Sequence, residues 1–310
     1  MKKEYIKQHV VPKSYLNRFA EKRNGKYIIG VRFLDQAGNV KLFERSTDDV
    51  GYIKNIYDVT DKEDPKYWEH TFASEYDLLF GQNLGTIISS ITLAGEGYKL
   101  SDYDRTILSR IILAQMFRVP DNIKYVTNFL YQNALSRVKQ EFYTIFPQNL
   151  INKNKHIIES FQMSEQSKKE SYLNFFFNNN IFNKYAGILK QRTWIVYYNS
   201  ISKSIPFVTS DNPVLVENVN HPDKIGIFIN GIVNPNTVLF FPISPTIAVV
   251  NYSRYGVFTP IADKLDGHIY PINEAGYIIH RNIRIIEQAF HHSFIPKPFY
   301  NYINKINNTN

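Results

Sequence analysis

The sequence predicts an α+β fold: a helical block packed against a mostly antiparallel sheet. Three observations carry that expectation. Two β-rich clusters, one near the N-terminus and one beyond Thr193, flank a long stretch of helical period. No strand–helix–strand alternation runs through the chain, which argues against a parallel sheet. Apolar residues make up 44% of 310 residues, enough to bury a sizeable core and to exclude disorder. A single compact domain over residues 1–310 is expected, read as two lobes: 1–190, a hairpin plus helices, and 191–310, β-rich with a C-terminal helix.

Each element follows from local signals. Gln8–Ala20 reads as an extended segment and a short helix, because Pro12 biases Val11 to extended backbone and suits a first helical turn. Lys26–Leu34 and Val40–Glu44 flank the loop Asp35–Asn39 with its Gly38, a hairpin pattern. Asp64–Ser90 turns helical after Glu63, Asp64 and Pro65. Ser101 with Asp104 forms a capping-box signal for a helix reaching about Arg118. Pro120 breaks that helix, a further helix runs from Asp121 to about Tyr143, and Pro147 ends it. Asn149–Asn183 is polar and predicts helical pieces around a loop. Trp194–Tyr198, Phe207–Thr209, Ile225–Ile229, Val238–Phe241 and Ile247–Asn251 are strand-like runs between Pro, Gly and Asn turns. Asn273–Phe290 returns to helix, and Pro296–Asn310 is expected to be peripheral.

Composition removes whole classes of chemistry. With no cysteine there is no disulfide, thiolate metal site, iron–sulfur cluster or cysteine nucleophile. The charged start, Met1–Lys7, precedes no apolar signal core, and no run approaches the ~18–20 apolar residues of a membrane span, so a cytoplasmic location with no membrane partner is expected. A net charge of +8 makes nucleic acid the candidate partner, although the Lys and Arg are scattered as on an ordinary solvated surface. Oligomeric state is not fixed by these signals. Phosphate-loop, HExxH and GxSxG motifs are absent.

Four constellations set polar residues where packing alone would not. In His9-x-x-Pro12-x-x-Tyr15-Leu16-x-x-Phe19, three apolar side chains share a face and His9 precedes the bend. Its ring could serve a pocket or simply anchor the arm. Trp68, Phe72, Glu75 and Leu79 form a 3.6-period stripe, so Glu75 points where a hydrophobe belongs, while Glu69 lies about 120° away. On the next long helix Gln115 and Arg118 align with Leu108, Ile111 and Ile112. A buried Arg118 needs a partner, and Glu75 is the expected one. Phe207–Pro213 runs a short strand into Ser210-Asp211-Asn212, a turn that could carry a catalytic carboxylate or merely cap itself.

In this order, with Trp194, Pro242-Ile243-Ser244-Pro245 and an Asn-led C-terminal helix at Asn273 or Asn282, the motifs resemble the domain of unknown function 4238 family over roughly residues 5–290. The resemblance implies no established activity. The family's sporadic occurrence in bacteria and some fungi suits a defence or toxin role.

The leading functional expectation is a cytoplasmic, metal-dependent, nuclease-like hydrolase acting on a phosphate-containing substrate. His9, Glu75 and Asp211 would be catalytic, and Arg118 with Gln115 would bind substrate. Glu75 and Asp211 would hold Mg2+ or Mn2+. The alternative is a non-catalytic binding module whose buried polar network is structural and whose basic face docks a partner. Convergence of His9, Glu75, Arg118 and Asp211 in one pocket discriminates the two.

Overall fold

The computed structural model describes residues 7–59, 63–226 and 230–307. Strand β1 (Lys7–His9) pairs antiparallel with β5 (Tyr52–Lys54), closing the N-terminal segment on itself. Between them lie a short helix α1 (Lys13–Leu16) and strands β2 (Glu21–Arg23), β3 (Lys26–Leu34) and β4 (Val40–Ser46). The β3–β4 hairpin forms as expected. Its loop is held by Asp35 Oδ1, which accepts from Ala37 N at 3.0 Å and Asn39 N at 2.8 Å, with Gly38 at φ +81°. The arm is integral to the fold: Tyr15, Leu16 and Phe19 are buried, and the Tyr15 ring stacks on Phe241.

The helical block begins with α2 (Tyr67–Thr71), continues through wide i→i+5 turns at Phe72–Tyr76 and Leu79–Asn83, and ends in α3 (Leu84–Ala94). The sequence explains the wide turns. Trp68, Phe72, Tyr76, Phe80 and Leu84 recur every four residues, and all five are buried. At about 100° per residue each four-residue step overshoots a full turn by ~40°, so a plain α-helix would carry the fifth side chain ~160° away from the first. Wide turns absorb the overshoot. The expected 3.6-period stripe is therefore corrected: Tyr76 enters the core and Glu75 is exposed. The run Tyr67–Gly97 also has the length and composition of a membrane span, contrary to expectation, while its aromatic face is packed into the core.

Helix α4 (Asp102–Arg118) carries the predicted Ser101–Asp104 capping box, and Val119 adopts extended backbone so that α5 (Pro120–Ile145) starts afresh on its proline. The polar stretch forms the expected helical pieces, α6 (Gln148–Ser160), α7 (Glu165–Phe176) and α8 (Asn179–Gln191), with a short non-helical link over 161–164. Ser164 and Asn178 supply side-chain N-caps, so residues that read as loop are helix starts.

Strands β6 (Thr193–Asn199), β7 (Thr209–Ser210), β8 (Leu215–Asn218), β9 (His221–Ile225), β10 (Thr237–Pro242) and β11 (Ile247–Tyr252) follow. After a short helix α9 (Thr259–Ala262) come β12 (Ile269–Ile272), α10 (Ala275–Glu287), β13 (Ser293–Ile295) and α11 (Lys297–Asn307). The strand expected at Ile225–Ile229 ends at Ile225, and residues 227–229 lie outside the described residues. A six-stranded sheet runs β12-β6-β11-β10-β8-β9, antiparallel except where β12 joins β6. Both its faces are buried. Val249, Leu239 and Phe241 face the helical block, while Val250, Ala248 and Phe240 face α10 through Ile278 and Ile285. Alternate residues thus serve two cores, which is why these strands read as unbroken apolar runs. The second sheet, β2-β3-β13-β7 with β4 on β3, joins the lobes because β13 pairs with both β3 and β7. The C-terminal tail is not peripheral: α11 lies on β3, with Tyr300 where a side chain at Gly30 would stand.

Candidate functional site

Helix α4 is enclosed on all sides from Ile111 to Arg118, so its polar residues must find partners inside the protein. Gln115 Nε2 donates to the Val10 carbonyl at 3.0 Å. Arg118 is 1% exposed, and its Nη2 donates to the His9 carbonyl at 2.8 Å. Both side chains therefore fasten the chain just after β1. Nη1 of Arg118 pairs with Asp77 Oδ1 at 2.6 Å, and the guanidinium carbon lies 4.7 Å from the Phe72 ring centroid. The expected Glu75–Arg118 pair is thus overturned. The wide turn at Phe72–Tyr76 swings Glu75 to solvent and brings Asp77 round to the arginine.

Other groups gather around this pair. Tyr57 donates from its hydroxyl to the Arg118 carbonyl at 2.9 Å. Gln8 accepts from Tyr57 N at 2.7 Å and donates to Asp58 Oδ1 at 2.5 Å. Burial works against the Arg118 charge, but Asp77 and Tyr57 outweigh it and hold the guanidinium above its usual value. Glu69 is half-buried. Burial pushes its carboxyl up to about 7, against the pull of Arg118 and with the help of Asp77 and Asp58. Burial pushes the His9 imidazole below its usual value, with Asp77 opposing and Arg118 reinforcing. Four buried atoms here have no hydrogen-bond partner among the described residues: His9 Nε2, Glu69 Oε2, Gln115 Oε1 and Arg118 Nε.

Asp211 belongs to a different locality. It is 5% exposed, and its carboxylate accepts three backbone N–H groups, from Phe290 at 2.7 Å and from His291 and His292 at 2.8 Å. Burial raises its carboxyl to about 6 although the three donors pull the other way. Asn212 and Gln288 exchange two further hydrogen bonds, so the Ser210–Pro213 turn is welded to the end of α10. None of these partners belongs to the Arg118 cluster, so the four-residue convergence expected from the sequence does not form. His9 joins Arg118; Glu75 and Asp211 do not.

The donor sets do not suit Mg2+ or Mn2+ at Glu75 and Asp211. Glu75 stands exposed, both Asp211 oxygens already face N–H donors, and among the described residues no three His, Asp or Glu side chains gather at ligand spacing.

The motif residues mostly hold segments together. Tyr15 Oη donates to the Pro242 carbonyl at 2.6 Å and shares a 2.7 Å hydrogen bond with Thr209 Oγ1, tying the arm to both sheets. Trp194 Nε1 donates to the Leu189 carbonyl. A family model for proteins of unknown function, DUF4238, matches residues 7–296, nearly the whole chain. The chain belongs to the DUF4238 family. No curated protein and no solved structure matches it. What sequence reasoning missed in this DUF4238 chain is Asp77, Asp58 and a second buried arginine, Arg192. The four-residue aromatic spacing was the available signal for Asp77. Arg192 gave none: it is 6% exposed, with Nε donating to Asn251 Oδ1 at 2.5 Å and its other nitrogens to the Ile232, Thr237 and Asn251 carbonyls. Burial lowers this guanidinium to about 10.

Proposed function

We propose that the chain is a cytoplasmic hydrolase that works by proton transfer at the His9–Glu69–Asp77–Arg118 cluster, on a phosphate-containing substrate with nucleic acid the first candidate. The support comes by subtraction. Gln115 Nε2, Tyr15, Asp211 and the Arg118 end nitrogens all have structural duties that account for them. The Glu69 carboxyl and the His9 ring do not. Glu69 Oε2 is buried without a partner, and its carboxyl is poised at about 7, where a group can both accept and give a proton at neutral pH. That observation carries the proposal. Arg118, sealed and spoken for, positions Asp77 and the His9 backbone and does not clamp a substrate. The phosphate assignment rests on the net charge of +8.

A non-catalytic binding module is the second possibility, favoured by the sealing of Arg118 and the pairing of both its end nitrogens. One experiment separates them. The full chain is assayed on bis(p-nitrophenyl) phosphate, single-stranded and double-stranded DNA, and RNA, beside Glu69→Gln and His9→Gln. Hydrolysis by the wild type that drops at least a hundredfold in both folded variants is the expected result. No hydrolysis of any substrate, with both variants more stable than the wild type, would leave the binding module standing.

A further inference from the structure

Four segments distant in sequence close around a cavity of about 320 Å3: the start of α5, the start of α7, the loop at Ile56 and the turn at Phe290. The volume falls at the small end of ligand pockets, which run ~300–1,000 Å3. Its walls carry charged and polar groups, some of them without a protein partner. Lys124 and Lys169 both line it, and neither ammonium makes a hydrogen bond or ion pair among the described residues. Thr127 is 8% exposed, and its Oγ1 is buried without a partner; Gln166 Oε1, on the facing helix, is likewise unpaired. Asp121 and Glu165 add carboxylates, the second paired with Lys168 at 2.7 Å, while Ile123 and Phe290 supply apolar wall.

We propose that this cavity binds a small polyhydroxylated organic anion, a sugar phosphate or sugar acid. The inference does not rest on the hydrolase proposal, since no residue of the His9–Glu69 cluster lines the cavity. Each requirement of the ligand answers a group on the wall. Two unpaired lysines call for a negative charge. Orphaned Gln166 Oε1 and the Asp121 carboxylate accept, so they call for O–H donors on the same molecule, and Thr127 Oγ1 can serve in either sense. Unpaired buried polar atoms are costly, and a ligand that satisfies them recovers that cost on binding. Phe290 offers apolar wall to the C–H groups of a sugar. Burial disfavours the charged form of the Lys169 amine, with Asp58 opposing, so an anion beside it offsets that cost.

Titration calorimetry on the full chain tests this with three matched probes. Glucose 6-phosphate and gluconate share hydroxyls and differ in the anion, which separates the phosphate source from the carboxylate; glucose lacks the charge. Binding of one anion with a Kd below ~1 mM, and none of glucose, is expected. Lys169→Gln and Thr127→Val should each weaken it at least tenfold, whereas Lys155→Gln, on exposed α6, should leave it unchanged. Absence of binding by both anions, equal binding of glucose, retained affinity in either cavity variant, or equal weakening by Lys155→Gln would each overturn the proposal. A measurement on the wild type guards against misfolded variants. The bound anion should slow acetylation of Lys169 at least fivefold relative to Lys155, and an unchanged ratio would count against the site.

Discussion

Arg118 and Arg192 are both sealed in the interior, yet their surroundings have little in common. Arg192 sits in a cradle of backbone carbonyls and one asparagine, with every nitrogen used and no carboxylate among its partners. Arg118 pairs with Asp77 and sits near the perturbed Glu69 carboxyl and His9 ring, and unpaired atoms surround it. A fully satisfied buried cation is an architectural pin. An arginine ringed by perturbed and incompletely satisfied titratable groups marks a place where chemistry can occur. The contrast teaches that burial of a charge says little by itself, and that the completeness of its hydrogen bonding says more.

The comparison can be broken most forcibly at the pin. Arg192→Ala orphans carbonyls from three segments and should destabilise by about 4 kcal/mol, read from a denaturant titration. A loss below ~1 kcal/mol would show that water replaces the side chain easily. Arg118→Ala should cost less, about 3 kcal/mol, because Asp77 is 32% exposed and can turn to solvent once unpaired. Equal losses at the two sites would erase the distinction drawn above. Tyr15→Phe removes a hydroxyl shared by Thr209 and the Pro242 carbonyl, with an expected loss of about 1–2 kcal/mol in the same titration.

The smallest effect concerns pH. Folding raises the Glu69 carboxyl from the ordinary 4.5 to about 7, so the folded state holds the proton more tightly than the unfolded chain. Stability from this group is fully present below about pH 4.5 and is lost as pH climbs to 7. Glu69→Gln should abolish that loss. Relative to the wild type, the variant should gain about 1 kcal/mol between pH 5 and pH 8, a figure discounted because the side chain is partly solvated. Asp211, raised in the same direction, is common to both proteins and cancels. A pH-independent difference would place Glu69 in water.

Local grammar made most of the fold legible. The β3–β4 hairpin, the Ser101–Asp104 box and the break at Pro120 are each written within a few neighbouring residues. The Glu75 expectation fails because it assumes a fixed helical period of 3.6, whereas the aromatic residues themselves demand four. The polar stretch before Asn183 is legible as helical pieces around a loop, but not where each helix starts, because N-capping Ser and Asn look the same as loop residues until the helices behind them are seen. At the site, Arg118, Gln115 and His9 were legible as misfits in apolar or bent settings. Asp77 is legible only through the four-residue aromatic spacing, and Arg192 is not legible at all, since a cradle of carbonyls leaves no mark in composition or spacing. The cavity lysines look like ordinary surface charge in sequence, and only the packing of α5 against α7 brings them together.

The wide turns bear on chain length. A helix of constant pitch cannot lose a residue without rotating everything beyond the cut by about 100°. Between Phe72 and Asn83 the helix carries slack, because narrowing a wide turn to an ordinary one can take up a missing residue while both flanks stay in phase. Deleting exposed Ser74 should therefore leave Phe80, Leu84 and the Asp77–Arg118 pair in place. Deleting Thr106 from α4, which has no such slack, should rotate Gln115 and Arg118 out of register and detach the N-terminal arm. Two helices of one block would thus differ in the changes of length that their sequences can accept.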